Sequence, residues 1–255
     1  MIATGARRRN LSDAFRPVLE KAVAHLAVID GAPSLYVYGS VATGTARVGS
    51  SDVDLVTIGL DAAISRRLAA TLTADFSSLC RGVEIGPAQP SDYEGSGDEG
   101  YGNRVFLRHY CVHLAGPDLG RDLPDYPADR TAARGFNGDI GLQADRWRRE
   151  ISGIAVPALL ARRVARKTLL AVAGLVSVHD RTWTTDRVAA AKRFGVIKPR
   201  MAFPLDTLVA WGSDGTTRPL RSEIQGALGG VVAEVVNEFG SQIGLWSPAD
   251  SAPAG

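Results

Sequence analysis

The chain has 255 residues, of which 45% are hydrophobic and 22% charged, and a formal net charge of +2. That length allows one large domain or two small ones, and the composition excludes wholesale disorder, a coiled coil and a collagen-like fibre. No apolar run approaches the roughly 20 residues of a membrane span, and the polar start through Arg7, Arg8 and Arg9 lacks the apolar core of a signal peptide.

Ser12 to Asp30 carries apolar residues at helical spacing (Phe15, Val18, Leu19, Ala22, Val23, Leu26), and Pro17 moves the expected start of regular helix towards Arg16. Leu35 to Tyr38 is a β-rich run stopped by Gly39-Ser40, and Asp52 to Ile58 is the second expected strand. Ala62 to Leu79 is predicted helical, with Ile64, Leu68, Leu72 and Phe76 on one stripe. Gly82 to Gly86 gives a third strand, Ser91 to Asn103 a glycine-rich mobile loop, and Arg104 to Leu114 a fourth strand. Beyond Gly116-Pro117 the spacing turns helical, most clearly over Ile151 to Val176, Asp186 to Phe194 and the interrupted stretch Leu220 to Phe239.

The expected organisation is therefore α+β: a small mixed-sheet domain over residues 1–125, a helical bundle over 126–246 and a disordered tail over 247–255. Charge is uneven. Gly82 to Asn103 holds five acids and no base, whereas Arg146 to Arg200 holds 13 bases against three acids. Cys80 and Cys111 are too few for a disulfide framework and form no zinc-ligand spacing, so both are expected as buried thiols of a cytoplasmic protein.

The stretch that carries chemistry is Tyr36-Val37-Tyr38-Gly39-Ser40 followed, after eleven residues, by Asp52-Val53-Asp54. Alternation along a strand turns Asp52 and Asp54 to one side and Val53 to the core. Two adjacent carboxylates repel, so a site that keeps both ionised calls for a cation, and hard oxygen ligands suit Mg²⁺ shared with a substrate phosphate. A Gly-Ser turn at a strand-to-helix junction lets the backbone approach phosphate, with the Ser40 hydroxyl as a donor.

This pattern resembles the signature of the polymerase-β-like nucleotidyltransferase superfamily, over about Leu35 to Leu114. The two-part plan looks like bacterial antibiotic nucleotidyltransferases, aminoglycoside adenylyltransferases above all. The resemblance implies transfer of a nucleoside monophosphate, AMP from ATP, to a hydroxyl of a small molecule with release of pyrophosphate. It implies two Mg²⁺ ions on Asp52 and Asp54 and a third carboxylate on a later strand. Glu84 is the natural choice for that base, with Asp92 or Glu94 as alternatives if the register differs.

Arg166 and Lys167 lie off the apolar stripe of their helix, which fits either a solvated face or a clamp on the β- and γ-phosphates. The acids around Asp92 to Glu99 would be soluble loop or an attraction for a cationic acceptor. His109 and His113 share a face of the expected fourth strand and are read as structural, and Trp183 as core or an acceptor platform. The basic excess of the helical half also admits tRNA or protein as acceptor, and a non-catalytic nucleotide-binding module is the third reading. No membrane partner is expected.

Overall fold

The computed structural model describes residues 1–153, 156–213 and 217–246, and the chain is α+β. The tail expected to be disordered lies outside the described residues. Two compact units are present: a sheet unit of residues 3–96 and 103–126, and a helical unit of residues 1–2, 97–102 and the chain from Pro127 onward.

In the sheet unit, α1 (Arg16–Leu26) starts where Pro17 falls in the first turn and is tolerated, and it buries Val18, Leu19, Ala22 and Leu26. Then come β1 (Ser34–Tyr38), the short α2 (Gly39–Thr43), β2 (Val53–Ile58), α3 (Ala62–Asp75) and β3 (Val83–Ala88). After α4 (Ser91–Glu94) and α5 (Asp98–Tyr110), β4 (Val112–Ala115) completes a sheet of order β3-β2-β1-β4. Strand β1 is antiparallel to both neighbours, whereas β2 and β3 are parallel. A parallel pair needs a crossover, which α3 supplies.

Alternation along the strands sorts the side chains to two faces. Leu35, Val37, Leu55 and Ile85 pack with Val18 of α1 and Leu72 of α3. The Asp61 carboxylate starts α3 by accepting from the backbone N–H groups of Ala63 and Ile64, at 2.7 and 3.2 Å. Beneath it the buried hydroxyls of Thr57 and Ser65 satisfy each other at 3.1 Å. The opposite face carries Tyr36, Val56 and Ile58, which cluster with Tyr93 and Leu107.

Residues 98 to 110 correct two expectations. The segment expected as a mobile loop running into a long strand is α5 for most of its length, and the fourth strand is confined to Val112–Ala115. Gly102 serves close packing rather than mobility. A β-carbon at Gly102 would come within 3.1 Å of Gly135 Cα, and one at Gly135 within 2.9 Å of Gly102 Cα. His109 and His113 therefore do not share a strand face. His109 lies on α5 and accepts from the Tyr126 N–H at 2.8 Å, while His113 in β4 meets Tyr36 edge-on. Of the two cysteines, Cys80 is buried and Cys111 only partly so.

The helical unit comprises α6 (Arg130–Asn137), α7 (Ile140–Glu150), α8 (Pro157–Asp180), α9 (Arg187–Ile197), α10 (Ala202–Gly212), α11 (Arg221–Gly229) and α12 (Val231–Gln242). The helix expected from Ile151 starts instead at Pro157, because a proline is accommodated in the first turn and Gly153 precedes it. Helix α8 is central, with Leu160, Val164, Leu169 and Val172 buried among Trp147, Phe194, Leu205 and Phe239. Trp183 is half-buried against that core and tilts on Phe136 at 5.9 Å.

Candidate active site

The end of β1 and the beginnings of β2 and β3 lie side by side, and the chemistry-bearing residues collect there. Register pairs Tyr38 with Asp54 across the antiparallel ladder, and Asp54 with Glu84 across the parallel one. Glu84 is exposed between buried Val83 and Ile85, the alternation its sequence called for. Asp54 is half-buried between buried Val53 and Leu55. Parallel neighbours stand about 4.8 Å apart. Two unit charges near that distance repel by about 3 kcal/mol at an effective dielectric of about 20, and by less in the open water that reaches Glu84. The pair is thus a place where a cation or a shared proton lowers the energy.

Gly39 completes this corner. Its φ of +69° lies in the left-handed region, and a β-carbon there would overlap Asp54 Oδ2 and sit 3.2 Å from Asp54 Cγ. The turn into α2 consequently passes directly against the Asp54 carboxylate, and Ser40 follows in the first turn.

Asp52 stands one residue before β2, outside the ladder, and is held by Arg81. The Arg81 Nε donates to Asp52 Oδ1 at 3.0 Å while its Nη2 donates to Oδ2, a bidentate pair. So the structure gathers Asp54, Glu84 and Gly39, and ties Asp52 to a guanidinium. Among the described residues no three His, Cys, Asp or Glu side chains are grouped closely enough to hold a metal ion. The donor chemistry at the corner nevertheless suits Mg²⁺, since Asp54 and, two residues earlier in the chain, Asp52 offer hard carboxylate oxygens. Of the alternative third carboxylates, Asp92 accepts from the Gln89 N–H at 2.8 Å in the turn that opens α4, and Glu94 is exposed at its end.

Two residues at the corner escaped sequence reasoning. Tyr38 is half-buried, packs edge-on against Phe106 at 5.0 Å, and has its phenol pushed well above its ordinary range. Burial is the main cause, followed by the charges of Asp54 and Glu84. Its proton therefore stays on throughout the physiological range, beside the two carboxylates. Strand alternation from Tyr36 could have flagged it. Arg81 carried no such signal, because the bend that brings it to Asp52 lies in the connection after α3.

Arg166 and Lys167 belong to the helical unit. There Lys167 is ion-paired with Asp139 at 2.6 Å and donates to the Phe136 carbonyl at 3.1 Å, and Arg166 donates to the Gly212 carbonyl at 3.5 Å. Asp98, one of the acids of the expected loop, is buried and pairs with Arg134 at 2.6 Å. The chain matches no protein-family model and no curated protein.

Proposed function

We propose that this chain is a Mg²⁺-dependent nucleotidyltransferase of the polymerase-β-like kind, which moves AMP from ATP to a hydroxyl of a small molecule in the cytoplasm. One observation carries the reading: Asp54 and Glu84 are in-register neighbours on parallel strands, with the positive-φ turn at Gly39 packed on Asp54.

In this reading the acceptor oxygen attacks the α-phosphorus in line. The new O–P bond forms as the bond from the α-phosphorus to its bridging oxygen breaks, and pyrophosphate leaves with that electron pair. Glu84, open to solvent, takes the hydroxyl proton. The turn at Gly39 and Ser40 lets backbone and hydroxyl donors reach phosphate oxygens. Asp54 and Asp52 would hold Mg²⁺, Asp52 by exchanging its Arg81 guanidinium partner for the ion. Bound there, Mg²⁺ supplies charge neutralisation for the triphosphate. Tyr38 keeps its proton beside the carboxylates. No step is assigned to Arg166 or Lys167.

The 13-to-3 basic excess of Arg146 to Arg200 favours a second acceptor class, tRNA, for the same chemistry. Among the described residues no helix is long and apolar enough to cross a membrane. Mass spectrometry of acceptors after incubation with ATP and Mg²⁺ tests the proposal, using a panel of aminoglycosides, lincosamides and tRNA. The reading expects the mass of one AMP added to one acceptor class and matching pyrophosphate. ATP turnover with no adduct on any acceptor would count against it.

A further inference from the structure

Three concavities follow one another along the first half of α8, all within the helical unit. The first, of about 460 Å³, is lined by Arg146, Arg163, Arg166 and Lys167 beside Leu170. The second, of about 300 Å³, uses Arg166 again, with Arg187 and Val188. The third, of about 120 Å³, holds Arg162 and Arg218 beside Leu159. Arg166 is common to the first two and Ser213 to the last two, so the three are neighbours along α8 and are treated as one track.

The sequence of α8 accounts for this surface. Leu159, Arg162, Arg163, Arg166, Lys167 and Leu170 repeat at helical i, i+3, i+4 spacing and share the outward face, while Leu160, Val164, Ala165 and Thr168 are buried behind them. Seven basic side chains line the track against one carboxylate among the described residues, Asp139, which is paired to Lys167. Glu150, outside the lining, offsets part of the charge through ion pairs to Arg146 at 2.6 Å and Arg163 at 3.0 Å. Among the described residues the lining charge is positive.

Charge alone would describe a solvated helix face. Here each concavity also exposes an aliphatic side chain: Leu170 at 37%, Val188 at 44% and Leu159 at 60%. Exposed leucines do nothing for solvation, but beside guanidinium groups they match a ligand that alternates anionic and apolar surface. We propose that this track binds a single strand of nucleic acid, with phosphodiesters on the arginines and unstacked bases covering Leu159, Leu170 and Val188. A duplex keeps its bases stacked and offers no such surface. A small anion fills one concavity and leaves the other two unexplained. The inference goes beyond the transferase reading and needs no nucleotide, metal or turnover.

The test is fluorescence anisotropy of the full chain with a fluorescein-labelled 12-nucleotide single-stranded RNA of mixed sequence, without ATP or Mg²⁺. About four phosphate contacts predict a slope of log affinity against log salt of about −3 between about 50 and 200 mM. Replacing Arg162, Arg163, Arg166 and Arg187 together by glutamine should weaken binding by at least ~100-fold at the lower salt and flatten the slope. Should that variant lose its helical circular dichroism, Arg162→Gln with Arg218→Gln on the third concavity should still cost ~10-fold. Leu159→Ser with Leu170→Ser should weaken the single strand several-fold without changing the slope, and a duplex of equal length should bind at least ~10-fold less tightly. The proposal is overturned by absence of binding at the lower salt, by a folded arginine variant that binds like wild type, or by duplex binding as tight as single-strand binding. Each of those results concerns the helical unit alone and leaves the transferase reading standing; absence of AMP transfer would leave this inference standing.

Discussion

Asp54 and Glu84 are register partners across β2 and β3, and the β2–α3–β3 crossover is what places them side by side. Glu84 is the more exposed, whereas Asp54 lies under the Gly39 turn. Their roles therefore separate. Glu84→Gln keeps shape and hydrogen-bonding reach but removes the proton acceptor, so turnover should fall at least ~10²-fold while ATP affinity stays within a few-fold of wild type. The loss should shrink as pH rises and the acceptor hydroxyl ionises more readily. A large loss in Asp92→Asn or Glu94→Gln with full turnover in Glu84→Gln would move the base to α4.

Gly39 is where fold and site meet. Alanine there has to adopt a φ of +69° and push its β-carbon into the Asp54 carboxylate. Gly39→Ala should cost about 1–3 kcal/mol in urea unfolding and displace the turn from the site, with transfer lost along with it. Wild-type stability in this variant would mean that the turn is not held against Asp54.

The Asp52–Arg81 pair leads to a different expectation, because both groups reach solvent, at 22% and 49% side-chain exposure. Arg81→Gln should change stability by less than about 1 kcal/mol. By freeing Asp52, it should lower the Mg²⁺ concentration for half-maximal turnover several-fold. Asp52→Asn should leave folding nearly unchanged and abolish transfer. An Mg²⁺ requirement unaffected by Arg81→Gln would show that the guanidinium does not compete for Asp52.

The strands that carry the site were legible because each obeys a short-range rule: alternation about Val53 and about Glu84, and a Gly-Ser stop after Tyr38. The crossover between β2 and β3 followed from the length of the intervening helix, whereas their register is visible only in the structure. Helix α5 was not legible, since its glycines satisfy a contact between Gly102 and Gly135, which are distant in sequence. The same limit applies to Arg81, whose partner is set by a bend and not by a pattern. Helix α6 was missed for a related reason. Small residues such as Ala132 and Ala133 bury a face without the bulky apolar stripe that periodicity detects.

His109 supplies a pH test of the sheet unit. Its ring nitrogen accepts from the Tyr126 N–H, and burial is the main influence holding its pKa below the ordinary histidine value. The folded state therefore favours the neutral ring, while the unfolded chain takes up a proton from about pH 6.5 downward. The unfolded state binds more protons in that window, so stability should fall as pH drops below about 6.5. Urea titrations at pH 7.5 and 5.5 should show a smaller pH-dependent loss in His109→Gln than in wild type. An equal loss in both would place the sensitivity elsewhere.

We propose that the Asp54–Glu84 corner is a nucleotide site that works through Mg²⁺. Isothermal calorimetry of ATP binding tests it most directly, with wild type and Asp54→Asn each measured in Mg²⁺ and in excess chelator. Tight binding is expected only for wild type in Mg²⁺, with affinity at least ~10-fold weaker in chelator and in Asp54→Asn under either condition. Equal, tight ATP binding in all four measurements would contradict it.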